Sequence, residues 1–397
     1  MRPDEGDDRR LRICFPFSGD SLGGSHVSVR GLLLHLDPAR YRAIVVPEVP
    51  GGRIAQHFTG QEQISDPGAR GLFVPGEAFT PRKFARALLG LWPRMRFLRR
   101  HRIAIVHVND GRTCANWALP ARLAGAKLVW HHRGDPHALG LRWLAPLLAH
   151  RVLAVSAFAL PPPGRWSARR KALVVHSPFD TDLAVDRAAA RAALVQELDI
   201  APDALILGFF GAFVPRKRPL LFVDLVARLR ATLDRPVVGL MFGEARVPAM
   251  DIALCHRIDH HGVGDRLRLM GHRTPGPFWI AACDQLVVPA VGEPFGRTLV
   301  EAMLVGTPVV AARSGGNVEA LDGGIGVLVP PDDLSALAQA CGRLGADTVA
   351  AAAMAQRAGA AARRRFSQAA HAMQVSEIYA QLCPSTVPRR IGTSAPA

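Results

Sequence analysis

Four apolar runs in this chain lead straight into glycine-containing turns followed by helix-forming segments, and few folds can use that unit repeatedly. The runs are residues 11–17, 205–210, 285–289 and 306–311, with turns that begin at Ser18, Gly211, Gly292 and Ser314. Short buried strands that alternate with helical segments are the sequence form of a doubly wound parallel sheet. Further strands are expected at 43–46, 103–108, 127–131, 152–155 and 172–175, which gives each half of the chain its own sheet. A length of 397 residues, 49% hydrophobic and 21% charged, fits two such globular domains.

The third turn carries the most chemistry. In Glu293-Pro-Phe-Gly-Arg-Thr-Leu-Val-Glu301 one acid falls before a helix and the other about two turns inside it. A helix opening near residues 295–298 aims the backbone N–H groups of Phe295, Gly296, Arg297 and Thr298 outward at the positive end of the helix dipole, a setting suited to phosphate oxygens. The carboxylates of Glu293 and Glu301 accept hydrogen bonds from sugar hydroxyls. Taken singly, a Glu pair at this spacing is more often a solvated helix face. The following strand and the turn Ser314-Gly-Gly-Asn-Val-Glu319 place a second helix entry beside the first, at the carboxyl edge of one sheet, where open α/β sheets bind ligands.

From Gly271 to Asp333 the sequence resembles the donor-binding half of retaining family-4 glycosyltransferases (glycosyl transferases group 1). The Glu-x7-Glu element, the Gly-Gly-x-x-Glu turn and the ending Gly326-Val-Leu-Val-Pro-Pro-Asp-Asp333 carry the likeness, which extends more weakly over residues 11–382. The resemblance implies the GT-B fold: two Rossmann-like α/β domains with a cleft between them. The expected boundaries are an acceptor-side domain at 1–180, a nucleotide-sugar domain at 181–365, a helix at 366–382 packing back on the first domain, and a disordered tail at 383–397.

The same resemblance implies transfer of a hexosyl group from a nucleotide sugar to an acceptor hydroxyl with retention, without a metal or other cofactor, in the assembly of cell-envelope polysaccharide or lipopolysaccharide. Donor-side residues would be Gly211, Arg216, Lys217, Arg218, Gly243, Glu293, Phe295, Gly296, Arg297, Thr298 and Glu301. Lys217 holds the family's lysine position, but Ala212 stands where the family has an arginine, so Arg216 or Arg218 would have to reach the phosphates instead. Acceptor-side residues would be Gly23, Gly24, His107, Asn109 and His131, and the family's histidine position falls on His132 or Arg133. Catalytic roles are expected for Glu293, Lys217, His132 and Arg133. Two other readings stay open: a non-catalytic sugar-nucleotide-binding GT-B subunit, which Ala212 favours, and a GT-B-type sugar-nucleotide epimerase. Asp180-Thr-Asp182 looks like the D-x-D of metal-dependent transferases, but its place near the domain junction makes a boundary turn the better reading.

Charge is distributed unevenly. Residues 1–184 carry 27 Lys and Arg against 14 Asp and Glu, or +13 of the net +16. The densest stretch, 81–102, sets Trp92 and Phe97 among arginines and fits either a solvated helix pair or an anionic membrane surface. No nucleic-acid reader motif accompanies the basic charge. No apolar run reaches the roughly 20 residues of a spanning helix, no leader pattern is visible, and the six cysteines lack CxxC spacing. A cytoplasmic location, with peripheral attachment to the membrane as an option, is therefore expected.

Overall fold

In the computed structural model, residues 9–69 and 88–384 are described. They divide into two compact units, one running up to Pro178 and resuming at Gln368, the other Phe179–Ser367. Each is a six-stranded, wholly parallel sheet between helices.

The first sheet comprises β1 (Leu11–Phe17), β2 (Tyr41–Pro47), β3 (Ile105–Val108), β4 (Lys127–His132), β5 (Arg151–Ala154) and β6 (Ala172–Val174), in the order β2-β1-β3-β4-β5-β6. Its strands are nearly continuous apolar runs because both faces are covered. On one face Ile13, Phe15, Ile105 and Val129 pack with the helices Gly24–His35 and Gln368–Leu382. On the other, Cys14, Val106, Leu128 and Val152 pack with Leu98, Trp117, Ala121, Leu141 and Ala145 of three helices, Leu91–Arg100, Gly111–Ala124 and Leu139–Leu148.

The second sheet comprises β7 (Leu205–Phe210), β8 (Val237–Phe242), β9 (Leu267–Gly271), β10 (Gln285–Val288), β11 (Val309–Ala312) and β12 (Val327–Val329), in the order β12-β11-β10-β7-β8-β9. The first strand in sequence, β7, lies in the middle beside β10, so the chain runs outward in both directions from this pair. That pair is the topological switch point, where loops at the carboxyl ends diverge and leave room for a ligand. β8, β9 and β12 are additions to the strands expected from sequence. β8 is fully buried and shows no alternation, while β9 and β12 are five and three residues long, so periodicity gives little signal for them.

Structure also revises the reading of the arginine-rich stretch, of which residues 81–87 lie outside the described part, as does the expected tail from 385 onward. Phe97 is in the core, and only Trp92 of the two aromatics faces solvent. Arg94 is not solvated: 1% exposed, it forks onto Asp66 at 2.8 and 3.0 Å, donates to Gly68 O at 3.0 Å and lies over Trp117. Asp180 and Asp182 form a local turn, with the Asp182 N–H donating to Asp180 Oδ1 at 3.1 Å.

A buried ion pair broken on one side leaves an uncompensated charge, a cost of about 3–5 kcal/mol. Asp66→Ala is therefore expected to lower the unfolding free energy by about that amount in urea titration, and a loss under about 1 kcal/mol would show that the fork does not hold the Leu91–Arg100 helix in place.

Candidate active site

The second unit gathers three loops at the switch point. After β7 the chain turns at Gly211 (φ 138°) and forms a single 3-10 turn, Pro215–Lys217. After β10 it runs through Gly292 and Glu293 into the helix Arg297–Val305, with Gly296 at the N-cap. After β11 it passes Ser314-Gly315-Gly316 into the short helix Gly316–Ala320.

Backbone contacts lock these loops together. Val291 N donates to Arg216 O at 2.9 Å, Gly316 N to Glu293 O at 2.7 Å, and Gly292 N to Ser314 Oγ at 3.0 Å. Gly315 has φ 59° and ψ −143°, and a Cβ there would stand 2.4 Å from Glu293 O. Only glycine meets both conditions. Gly243, at the end of β8, is under the same constraint, since its Cβ would lie 2.2 Å from Gly211 O. Buried Asn317 ties the strand ends, donating to Ala312 O at 3.1 Å and Ala290 O at 3.4 Å.

Glu293 is the centre of the site. Its carboxylate is nearly buried and pairs with Arg216 and, at 3.3 Å, with Lys217. Burial acts to raise its pKa, but the charges of Lys217 and Arg216 outweigh it and hold the group below its ordinary value. Lys217 in turn lies over Gly211, where a Cβ would meet its Nζ at 3.0 Å. Gly211, Arg216, Lys217, Gly243 and Glu293, dispersed over more than 80 positions in sequence, thus meet in one place.

Beside them, the helix Arg297–Val305 begins with no acidic residue in its first turn and no side-chain cap. No side chain of its own first turn therefore offsets the positive end of the helix dipole, and the Glu293 side chain lies beside it at Gly296. Arg297 stacks on Phe179 (4.3 Å to the ring centroid) and pairs with Glu301 at 3.6 Å. Burial lowers the Arg297 pKa and raises that of Glu301, each opposed by the charge of the other. Thr298 is half-buried, whereas the Phe295 ring packs on Phe366 and leaves only its backbone to face the helix entry.

Arg218 departs from the sequence expectation. Its guanidinium binds Asp332, in the loop after β12, at 2.6 and 3.0 Å. Of the two cations considered as replacements for the missing arginine, Arg216 stays with Glu293.

In the first unit, β3 and β4 end side by side. Arg133 donates from Nη1 to Ser177 Oγ (3.0 Å) and from Nη2 to Asn109 Oδ1 and His131 Nδ1 (both 3.2 Å). His131 Nε2 must carry the proton, because its other partner is the carbonyl of Val175 at 3.2 Å, so Nδ1 is free to accept from Arg133. His131 stacks between His107 (5.7 Å) and His371 (5.5 Å), and His107 shares a 2.6 Å hydrogen bond with the Tyr379 hydroxyl. Burial, followed by the Arg133 charge, pushes all three histidines down, His371 to about 3, so they are neutral near pH 7.

His107 and His131 are therefore core groups with no exposed surface, not acceptor contacts, and Asn109 is 1% exposed and engaged by Arg133. His132 points to the opposite face, against Trp130, and donates from Nε2 to Asp135 O at 2.9 Å. Arg133 is the half-buried group at this strand end. Gly23 caps the helix Gly24–His35, and its N–H donates to His26 Nδ1 at 3.1 Å. Sequence reading missed His371 and Tyr379, which lie more than 200 residues from their partners in an amphipathic helix that offers no motif. Among the described residues no three His, Cys, Asp or Glu side chains form a metal-ligand set.

The architecture is that of the GT-B fold. It matches HepE from Anabaena, solved in complex with UDP and glucose, with a TM-score of 0.78 at 23% identity, covering 94% of this chain and all of that one. Residues 204–347 match the model of the family described as glycosyl transferases group 1. Over 172 residues the chain is 38% identical to a D-inositol 3-phosphate glycosyltransferase of Streptomyces bingchenggensis, which is 41% of this chain and 36% of that protein. Over 191 residues it is 32% identical to the lipopolysaccharide core mannosyltransferase LpsB of Rhizobium meliloti, 47% of this chain and 54% of that one. The chain thus spans between about a third and about half of the length of these curated relatives.

Two outcomes test the geometry. Gly315→Ala is expected to cost about 1–3 kcal/mol in backbone strain, while Gly276→Ala, with open space at its Cβ, stays within about 0.5 kcal/mol in the same denaturation assay. Because the Glu293 pKa is lowered in the fold, its stabilising contribution is present above the unfolded value of about 4.3 and is lost as pH falls through the lower folded value. Glu293→Gln should flatten the stability–pH curve in that acid window and leave the curve between about pH 6 and 8 parallel to that of the wild type; an unchanged acid slope would show that the ion pairs contribute nothing.

Proposed function

We propose that the chain is a retaining family-4 glycosyltransferase that moves a hexosyl group from a nucleoside-diphosphate sugar to an acceptor hydroxyl. One observation carries this reading: the Lys217–Glu293 pair stands beside the uncapped N-terminus of the helix Arg297–Val305. A cation and a helix N-terminus suit a diphosphate, and a carboxylate held ionised beside them suits sugar hydroxyls.

In this reaction the bond between the anomeric carbon and the diphosphate oxygen breaks, and a bond to the acceptor oxygen forms on the same face of the sugar. The acceptor proton passes to the leaving diphosphate, so no protein base is needed. Lys217 and the helix N-terminus stabilise negative charge as it develops on the leaving group. Glu293 orients the donor sugar, and Glu301 holds ribose hydroxyls. In the first unit, Arg133 serves the acceptor as a fixed positive charge and not as a base, because a guanidinium does not deprotonate. The kinship with an LPS core mannosyltransferase supports cell-envelope glycan assembly as the setting, and the UDP complex of HepE makes uracil the first base to test.

A second reading, a sugar-nucleotide-binding subunit without transferase activity, is favoured by one specific observation: Ala212 occupies the arginine position and Arg218 is tied to Asp332.

Thermal-shift titration of the purified protein with UDP, GDP and ADP, and with their sugar conjugates, tests both. One nucleotide is expected to raise the melting temperature, Lys217→Ala to abolish the shift, and Glu301→Ala to weaken binding by about 1–3 kcal/mol. Binding without donor hydrolysis or transfer would select the subunit reading. The absence of any shift would reject both.

A further inference from the structure

We infer that the outer surface of the three-helix layer in the first unit docks on an anionic lipid bilayer. The helix Leu139–Leu148 buries Leu141 and Ala145 against the sheet, yet its opposite side is also apolar. Leu139, Trp143 and Leu147, one helical turn apart, are 75%, 53% and 56% exposed. A soluble surface helix ordinarily puts polar residues there. The neighbouring helices continue the pattern, with Leu123 of Gly111–Ala124 and Trp92 of Leu91–Arg100 also exposed.

The charge around this surface selects the partner. Residues 88–175 contain 15 Lys and Arg against two Asp and Glu, a net +13, while the rest of residues 1–184 holds 12 of each. The whole basic excess of the first 184 residues therefore falls within the stretch that contains this layer, although Arg94 is buried against Asp66 and Arg133 lies at the strand ends. Both acids are engaged locally: Asp110 caps the helix Gly111–Ala124 through the Arg112 and Thr113 N–H groups, and Asp135 accepts from His137 N.

Arg96, Arg99, Arg100, Arg142, Arg169 and Arg170 of the same stretch are exposed. Arg142 lies 5.3 Å from the Trp143 ring centroid, and Arg99 donates to Leu123 O at 2.7 Å, so cations and apolar groups share one surface. Lys171 fastens the base of the layer by donating to Pro146 O and Ala149 O. Apolar side chains with indole rings, set among arginines and without acids, match the boundary between acyl chains and anionic headgroups. Among the described residues no helix is long and apolar enough to cross a bilayer, so this attachment lies on the surface.

Vesicle flotation of the full chain tests the inference, using phosphatidylcholine vesicles with and without phosphatidylglycerol. The protein is expected to float with the anionic vesicles at low salt, to remain behind with neutral ones, and to be released by high salt. Two variants locate the surface: L139S/W143S/L147S, and R169E/R170E in case the first fails to fold. Each should lower the floated fraction at least about tenfold with an unchanged melting temperature. Equal flotation with both vesicle types overturns the inference, as does wild-type flotation of both folded variants. A dimer that the triple substitution converts to monomer would assign the surface to a second copy, and RNA binding that survives lipid competition would assign it to nucleic acid. Either result also overturns the inference. The assay uses no sugar nucleotide, so it stands or falls apart from the proposed activity.

Discussion

Three sheet-edge loops meet at Glu293, and the second unit's site depends on how closely they approach. The Glu293 carbonyl accepts from Gly316 N, its carboxylate reaches Arg216 and Lys217, and Gly315 passes so near that a single added carbon would overlap it. Desolvating an acid is unfavourable unless its charge is matched. Here two cations from the loop after β7 match it, and the same contacts fix the lysine beside the helix N-terminus. Loop geometry and site electrostatics therefore share one cause.

The first unit uses the opposite arrangement. Its buried histidines carry no charge near neutral pH, and hydrogen bonding sets the tautomer of His131 so that its lone pair meets Arg133. Positive charge at the ends of β3 and β4 comes from one guanidinium positioned by neutral partners. Part of that support is the Gln368–Leu382 helix, which contributes His371 and Tyr379.

Much of the fold was legible because short strands running into glycine turns have few alternatives. β1, β7, β10 and β11 announce themselves in this way, and the Glu-x7-Glu spacing follows from the position of a helix entry after β10. β8, β9 and β12 were not legible, since a fully buried strand or an edge strand of three to five residues leaves little periodic trace. The arginine-rich stretch shows a different limit. Composition marks Arg94 and Phe97 as surface groups, but a single carboxylate at Asp66 draws the arginine inside, and helical phase buries the ring.

Sequence by itself determined the parallel α/β class, the helix entry at Gly296 and Arg297, the residue types that gather around Glu293, and the confinement of basic charge to one stretch. These are local or compositional properties, set by turn chemistry, spacing and counting. Tertiary structure decided the pairings. It gave Arg216 to Glu293 and Arg218 to Asp332, sealed His107 and His131 in the core, and turned Trp143 and its neighbours to the surface. Such choices depend on which strands lie side by side and on which face each helix buries. Partners separated by tens to hundreds of residues meet only when the sheets assemble, and no local pattern encodes that meeting.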